Sequence, residues 1–139
     1  MSSTGTQGFC FPVRVYYEDT DAAGVVYYAN YLRYMERART EWLSALGMEI
    51  AVLEREHAVA FVVHRVDIRY LQPARLGDRL EVGVTVRELG RSRLILDQSV
   101  TRAGNTVTDA RVTLACLHPA QWRAVRIPLP LLARLQQHA

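Results

Sequence analysis

The sequence predicts an α+β fold, in which an antiparallel sheet of about five strands wraps around one long helix. A helical apolar stripe runs through the first third of the 139-residue chain. Four long strand-like stretches follow it, joined by short connections that favour antiparallel pairing. Such a sheet has an apolar face to bury, and one long apolar-striped helix is the obvious element to bury against it.

The first strand and the helix each have a distinct pattern. Residues 12–18 (PVRVYYE) alternate and are rich in Val and Tyr, which predicts a strand. From about Tyr28 to Leu46 apolar residues recur at steps of three and four, and Gly47 stands where a C-terminal cap is expected. The predicted apolar stripe consists of Tyr28, Tyr31, Met35, Ala38, Trp42 and Ala45, widened by Leu32 and Leu46.

The remaining elements follow in simple order. Residues 49–56 predict a short second helix, and PLLARLQQHA at the end predicts a terminal one. Strand patterns over 58–71, 78–89, 91–102 and 106–118 end at turns or breaks that contain Pro or Gly. No repeat or linker interrupts them, so we expect a flexible tail over 1–11 and a single domain over 12–139.

The composition favours a soluble globular protein with a single core. Half of the residues are apolar, which is enough for one self-sufficient core in a chain of this length. Cys10 and Cys116 lie far apart without metal-ligand spacing, which favours a reduced, intracellular protein, and Cys116 stands in an apolar run typical of core filler. Neither a signal peptide nor an apolar run of about 20 residues is visible. We therefore expect a soluble, cytoplasmic protein without a membrane span.

The net charge of +3 and a pI of about 9.1 are weak guides to a partner. All 17 basic residues are arginines. A modest positive excess fits an anionic small ligand or a nucleic acid. Because no block of like charge and no RNA-binding aromatic signature is present, a nucleic-acid partner is not expected.

Two aspartates, Asp19 and Asp21, stand just before the long helix in the stretch EDTDAAGVVYYANYLRYMERARTEWL. One interpretation is structural, because acidic residues in such turns satisfy free N–H groups at the start of a helix. A metal site is a poor alternative, since no His or Glu stands at ligand spacing. Sugar-nucleotide transferases also use D-x-D, but they need much longer chains.

A catalytic interpretation rests on the helix end. A carboxylate there lies near N–H groups that carry partial positive charge and can also stabilise a developing oxyanion. A charged Asp21 beside such donors would suit hydrolysis of an activated acyl group. Gly24 would allow the backbone to approach that group closely. Apolar walls would come from Val25, Val26, Tyr27 and Tyr28.

The same stretch resembles the active-site signature of the hot-dog-fold thioesterases of the 4-hydroxybenzoyl-CoA thioesterase family. More narrowly, it is similar to the bacterial acyl-CoA thioesterases encoded with the Tol–Pal envelope system. The segment FVVHRVDIRYLQPARLGDRLEV resembles the next segment of the family, and the similarity runs from about Val13 to Pro128. It implies a hot-dog fold and hydrolysis of acyl-CoA to free acid and coenzyme A, with no metal or redox cofactor.

The resemblance also implies roles for individual residues. The catalytic carboxylate falls on Asp21, while Asp19 matches a family aspartate that shapes the turn. The backbone N–H that polarises the thioester carbonyl falls near Tyr28, where many members of the narrower group have a histidine. Another branch of the fold uses a glutamate on the helix, but for Glu36 and Glu41 we favour salt bridges on the helix surface.

Substrate contacts and assembly complete what the resemblance implies. Arg91 and Arg93, after Gly90, are the expected contacts of the coenzyme A phosphates, with two solvated turn arginines as the alternative. His64 could line the pocket or be an ordinary strand histidine. Active sites of the family form between paired subunits, so we expect a homodimer or a homotetramer.

Two other functions remain open at this stage. One is a non-catalytic module on the same fold that binds acyl-CoA or acyl carrier protein. The other is a small basic scaffold for envelope or lipid-synthesis proteins, which would need no pocket. An intact Asp21 favours catalysis over both.

Overall fold

The computed structural model describes residues 8–137 of the chain. The helices are α1 (Asn30–Ala45), α2 (Ile50–His57) and α3 (Leu129–Gln136), and a 3-10 turn spans Tyr17–Asp19. The strands are β1 (Phe9–Arg14), β2 (Ala60–Tyr70), β3 (Arg79–Leu89), β4 (Arg93–Arg102), β5 (Asn105–His118) and β6 (Arg123–Ala124).

One antiparallel sheet contains all six strands in the order β1-β3-β4-β5-β2, with the two-residue β6 added beside β5. The long helix α1 packs on one face of this sheet, against β1, β3 and β4. The predicted α+β arrangement of about five strands around one long helix is therefore confirmed. At the edges of the sheet lie the six-residue β1 and the 11-residue β2.

The buried side of α1 differs from the predicted stripe. Its buried residues are Tyr31, Tyr34, Met35, Ala38, Trp42 and Leu43. Tyr28, Leu32 and Ala45 are exposed in the single chain, so these three assignments were wrong. Tyr28 precedes the helix and is not held to its periodicity, and the true stripe turns toward Tyr34 and Leu43 because the sheet covers that side.

The ends of the elements follow local backbone chemistry. Gly47 has a φ of +78° and its N–H donates to the carbonyl of Ser44, which confirms the predicted helix cap. The predicted tail of residues 1–11 overlaps β1, which begins at Phe9, and residues 1–7 lie outside the described part. The strand predicted over residues 12–18 is displaced, because β1 ends at Arg14 and Tyr17–Asp19 form the 3-10 turn. Pro12 is tolerated inside β1 because β1 is an edge strand.

Cys116 is fully buried in β5, and burial raises the pKa of its thiol to about 11. It therefore belongs to the core, as the sequence predicted. The expected salt bridges of Glu36 and Glu41 are absent: within the described residues, neither carboxylate lies within 4.0 Å of a basic group.

The core of the sheet should control stability. Leu96 on β4 is 0% exposed, whereas Leu76 in the turn before β3 is 54% exposed. Leu96→Ala should lower the free energy of unfolding by about 2–5 kcal/mol, because it leaves a cavity. The matched Leu76→Ala should change it by less than about 0.5 kcal/mol. Urea denaturation of both variants measures this, and equal changes would contradict the assigned core.

Candidate active site

The chain before α1 folds back on itself as a small hairpin from Asp19 to Tyr27. The Tyr27 N–H donates to the Asp19 carbonyl and the Asp21 N–H to the Val25 carbonyl, both at 2.9 Å. A tight turn closes the loop where the Gly24 N–H donates to the Asp21 carbonyl at 3.0 Å. Gly24 has a φ of +80°, the left-handed conformation that such a three-residue hairpin loop requires.

The two aspartates have different surroundings. Asp19 is 8% exposed and its carboxylate accepts the Tyr16 N–H at 2.9 Å. Its carbonyl also accepts the side-chain amide of Asn30, the first residue of α1, at 2.9 Å. Burial, and then the nearby Asp19 carboxylate, raise the pKa of Tyr34 well above its usual range. Asp19 therefore ties the hairpin to the helix.

Asp21 stands at the exposed tip of the same hairpin. Its Oδ1 accepts the Ala23 N–H at 2.9 Å, which orients the carboxylate within the loop. Its Oδ2 makes no hydrogen bond to any described residue. One oxygen is thus held and the other faces outward, an arrangement that can present a base or a nucleophile to a bound molecule.

The hairpin rests on the turn that leads into β3. The Val26 N–H donates to the Ala74 carbonyl at 2.8 Å, and Val25 forms an isolated bridge with Arg75. The Ala74 N–H in turn donates to the Tyr31 hydroxyl on α1 at 3.1 Å. Ala74 is fully buried. These contacts fix the position of the hairpin relative to α1.

An ion pair between Arg102 and Asp78 stabilises the turn that leads into β3. Arg102 at the end of β4 donates to the Asp78 carboxylate at 2.7 Å and to the Pro73 carbonyl at 3.0 Å. Asp78 also accepts the Arg75 N–H at 2.9 Å. This backbone hydrogen bond and the Arg102 guanidinium hold the pKa of Asp78 below its usual value.

Tyrosines form one wall beside the hairpin. The Tyr28 ring lies 4.9 Å from Tyr27 and 5.9 Å from Tyr70, between ring centroids. Tyr31 lies 5.8 Å from Tyr70. Burial raises the pKa values of Tyr31 and Tyr70, so these rings stay neutral and their wall is uncharged at ordinary pH.

The start of α1 provides hydrogen-bond donors. The N–H groups of Asn30, Tyr31 and Leu32 are used in tight bonds to residues three positions earlier. Within the described residues, the N–H groups of Tyr28 and Ala29 have no acceptor. Free donors just before the start of a 16-residue helix are well suited to an anion or a polarised oxygen.

The structure brings together only part of the predicted set. Asp21, Gly24, Val25, Val26, Tyr27 and Tyr28 all lie in or beside the hairpin. His64 is exposed on β2, at a bulge where it has no partner on β5. Arg91 and Arg93 are exposed around the β3–β4 turn, which lies at the far end of β3 from the hairpin.

Two cavities lie away from the hairpin. A shallow groove of about 680 Å³ runs over the charged outer face of the sheet and includes no hairpin residue. A cavity of about 400 Å³ lies between α1, α2 and β2, and we refer to it as the α2 cavity. The α2 cavity and Ala74 were not predicted from the sequence. Tyr70 was not predicted either, although its position just before the Pro-Ala-Arg turn was a signal for it.

Comparison with known proteins decides the class. A family model described as the thioesterase-like superfamily matches residues 15–135. The chain belongs to the thioesterase-like superfamily.

Individual relatives agree with the family assignment. The acyl-CoA thioester hydrolase YbgC of Escherichia coli O6:H1 is 40% identical over 130 residues, covering 93% of this chain and 96% of the relative. The acyl-CoA thioesterase YbgC of Haemophilus influenzae is 43% identical over 121 residues, covering 87% and 89%. The crystal structure of Slr0204, a 1,4-dihydroxy-2-naphthoyl-CoA thioesterase from Synechocystis, superposes with a TM-score of 0.85 at 25% identity, covering 93% and 96%.

These findings confirm the predicted hot-dog fold and the prediction of an enzyme of the thioesterase class. In the described part of the chain, no helix is long and apolar enough to cross a membrane.

The ion pair between Asp78 and Arg102 predicts a pH-dependent contribution to stability. Asp78→Asn should lower the free energy of unfolding by about 1 kcal/mol at pH 7, since it removes a charged hydrogen-bond acceptor. The folded-state pKa of Asp78 is depressed. Its contribution is therefore present above the unfolded value of about 3.9 and is lost as pH falls through the folded value.

The difference between wild type and variant should thus shrink below about pH 4. Urea unfolding over a pH series measures it. Glu54→Gln on the exposed surface is the control and should show no such convergence. A difference that stays constant down to pH 2 would rule out this role of the ion pair.

Proposed function

We propose that this enzyme hydrolyses acyl-CoA thioesters to free acid and coenzyme A, with Asp21 as the reactive carboxylate. The proposal rests above all on one observation: Asp21 is exposed at the tip of a braced hairpin, with one carboxylate oxygen oriented and the other unpartnered in the described chain. The relatives YbgC and Slr0204 are named for the same bond type, a coenzyme A thioester.

Asp21 can start the reaction in two ways. As a general base it takes a proton from water while the water oxygen bonds to the thioester carbon. As a nucleophile it bonds to that carbon itself, and water then cleaves the resulting anhydride. In both cases the C–S bond breaks and the coenzyme A thiolate leaves and takes up a proton. Both routes require an ionised Asp21.

The backbone N–H of Tyr28 is the proposed donor to the carbonyl oxygen. It has no acceptor in the described chain, and it lies two residues before α1, at the helix end where the dipole favours negative charge. Donors of this type stabilise the tetrahedral oxyanion more than the uncharged carbonyl. Because the donor is main-chain, tyrosine in place of the family histidine leaves it intact.

Arg91 and Arg93 can approach this site only from a second subunit. Arg93 and Val62 both pair with Ala115, so Arg93 is level with Val62 across the sheet. Tyr70, beside the hairpin, lies eight residues further along β2, which is about 26 Å away at 3.3 Å per residue. Within one chain, Arg91 and Arg93 therefore lie far from Asp21.

Antiparallel pairing of the β2 strands of two subunits would bring Arg91 and Arg93 of one subunit close to the hairpin of the other. At 11 residues, β2 is a long edge strand, and edges of this kind are usually covered. A two-fold axis near Arg65 would set Val62 of one subunit opposite Ile68 of the other. Arg93 of the second subunit would then lie about three strand spacings, or about 15 Å, from the first subunit's Tyr70.

We accordingly assign the coenzyme A phosphates to Arg91 and Arg93 of the second subunit. Such a homodimer has two identical sites at the β2 edges, with His64 near the two-fold axis. A dimer of dimers keeps this unit intact. The pantetheine arm could equally be carried by acyl carrier protein, in which case the two arginines would face the acidic carrier surface.

Removal of the Asp21 charge tests the chemistry. Asp21→Asn keeps the turn's hydrogen bonding but removes the charged oxygen, so kcat for acyl-CoA hydrolysis should fall by two or more orders of magnitude. Asp19→Asn is the matched variant and should mainly lower the melting temperature, because that carboxylate supports the fold.

Thiol release from an acyl-CoA panel is the readout. If Asp21→Asn keeps more than about a tenth of wild-type kcat, Asp21 is not the catalytic group. If the wild type binds acyl-CoA but releases no thiol from any member, the chain is a binding module. Absence of both turnover and binding would favour the scaffold function.

Substitution of the phosphate contacts tests the shared site. Replacement of both Arg91 and Arg93 by Ala should raise KM for acyl-CoA about tenfold or more, with kcat little changed and a weaker salt dependence. Hydrolysis of a short thioester without the nucleotide should hardly change. Arg55→Ala, an exposed arginine on α2, is the control.

Mixed oligomers then show which subunit supplies the arginines. Co-expression of the Arg91/Arg93 double variant with Asp21→Asn creates dimers with one intact site, so about a quarter of wild-type activity should return at low substrate concentration. No recovery, with mixed dimers verified by mass, would place the arginines outside the shared site. A monomeric mass for the active enzyme by light scattering would exclude the shared site altogether.

A further inference from the structure

The α2 cavity is apolar except for a few charged groups. Its volume of about 400 Å³ falls within the range of small-ligand pockets, about 300–1,000 Å³. Most of its walls are large apolar side chains: Trp42, Leu43, Ile50, Leu53, Phe61, Leu94 and Leu114. The charged lining residues are Glu36, Arg39 and Glu54.

Arg39 is a charged residue in a cavity whose walls are mostly apolar. Its guanidinium donates one hydrogen bond, from Nη1 to Oε1 of the buried Gln98 at 2.9 Å, and Gln98 donates to the Met35 carbonyl at 2.9 Å. Among the described residues no carboxylate lies within 4.0 Å of it. Burial lowers the pKa of Arg39, but a guanidinium stays charged at neutral pH.

A guanidinium carries five N–H donors in a fixed plane. Gln98 accepts one of them and holds that plane in position. The remaining donors have no protein acceptor in the described chain, and the half-buried guanidinium lines the cavity. An oxygen on a molecule bound in the cavity can accept from these donors.

The cavity opens at the edge of the sheet. Ala60, Phe61, Val62 and Val63 all line it. Successive strand residues point to opposite faces, so four in a row can border one cavity only where it wraps around the strand edge. Val63 is 48% exposed there. In the proposed β2 pairing, this opening would meet Ile68 and Tyr70 of the second subunit, next to that subunit's Tyr28 and Asp21.

We propose that the α2 cavity holds the acyl group of a thioester reacting at the second subunit's Asp21, and that Arg39 selects acyl groups with a neutral hydroxyl or carbonyl oxygen remote from the thioester. This inference rests on the proposed thioesterase function. The apolar walls hold the carbon skeleton, and the guanidinium donates to the remote oxygen. Arg39 thereby acts as a specificity-determining residue without touching the reacting atoms.

The charges in the cavity favour a neutral oxygen over a carboxylate. Glu36 and Glu54 line the same space, so the three charged groups sum to a net negative charge. A second carboxylate would be repelled by both. A hydroxyl can accept from Arg39 and also donate to a glutamate, which a plain alkyl chain cannot do.

The competing explanation is structural, because the chain Arg39–Gln98–Met35 also ties α1 to β4. A merely structural arginine would affect all substrates alike. A specificity residue changes the ratio between an oxygen-bearing substrate and its plain analogue. Sites built to hydrogen-bond a substrate group discriminate strongly against analogues that lack it.

The experiment compares kcat/KM for hexanoyl-CoA, 6-hydroxyhexanoyl-CoA, 5-oxohexanoyl-CoA and adipoyl-CoA, with the butyryl series as a shorter set. Wild type should prefer the hydroxy or oxo member over its plain analogue by about tenfold or more, and should disfavour the dicarboxylic member. Arg39→Met, which keeps the apolar stem, should bring the ratio of kcat/KM for the hydroxy or oxo member to kcat/KM for the plain analogue down to about one. Arg37→Met, on the exposed side of α1, should leave the preference unchanged.

The other outcomes overturn the inference. No preference in the active wild type, or a uniform loss on every substrate in Arg39→Met, would assign Arg39 to structure alone. If Arg39→Met does not fold, Arg39→Lys replaces it and should reduce the preference, since a single ammonium lacks the planar set of donors. No thiol release from any acyl-CoA by the wild type would instead overturn the proposed function, and this inference with it.

Discussion

The buried peptide at Ala74 is the point on which the active-site geometry depends. Its carbonyl accepts the Val26 N–H from the hairpin, and its N–H donates to the Tyr31 hydroxyl on α1. A single main-chain unit thus joins the reactive loop, the long helix and the turn that enters the sheet. Since Ala74 is fully buried, a lost bond there would leave a polar group unsatisfied, which costs about 1–3 kcal/mol. The position of Asp21 relative to the helix end follows from this connection.

Local patterns account for most of the fold. The period of α1, its glycine cap and the turn-bounded strands could be recognised from the sequence, because each is set by near neighbours. The side of α1 that is buried could not, since Tyr34 and Leu43 are chosen by the sheet that covers them. Likewise Phe9 joins β1 through pairing with Val84, a residue far along the chain. Long-range pairing carries no local signature.

The candidate site also has a part that could be predicted from the sequence and a part that could not. The hairpin from Asp19 to Tyr27 is contiguous, so its residues could be named from the sequence and a family resemblance. The support beneath it was invisible because Ala74, Asp78 and Arg102 come from separate turns and strands. The α2 cavity was equally hidden, as it exists only where α1, α2 and β2 meet. Arg39 reads as an ordinary surface charge in the sequence, and only its contact with Gln98 reveals its inward position.

The small buried surface of α2 has an evolutionary consequence. This helix buries a single residue, Leu53, yet it forms one wall of the cavity. The hairpin with Asp21 is held by other elements, so changes along α2 can reshape the wall with little effect on the reactive loop. If the α2 cavity holds the acyl group, as proposed, the substrate range can drift through substitutions in α2 while the chemistry is preserved. Gene duplicates of such an enzyme could then acquire new acyl substrates without first losing the ability to cleave a thioester.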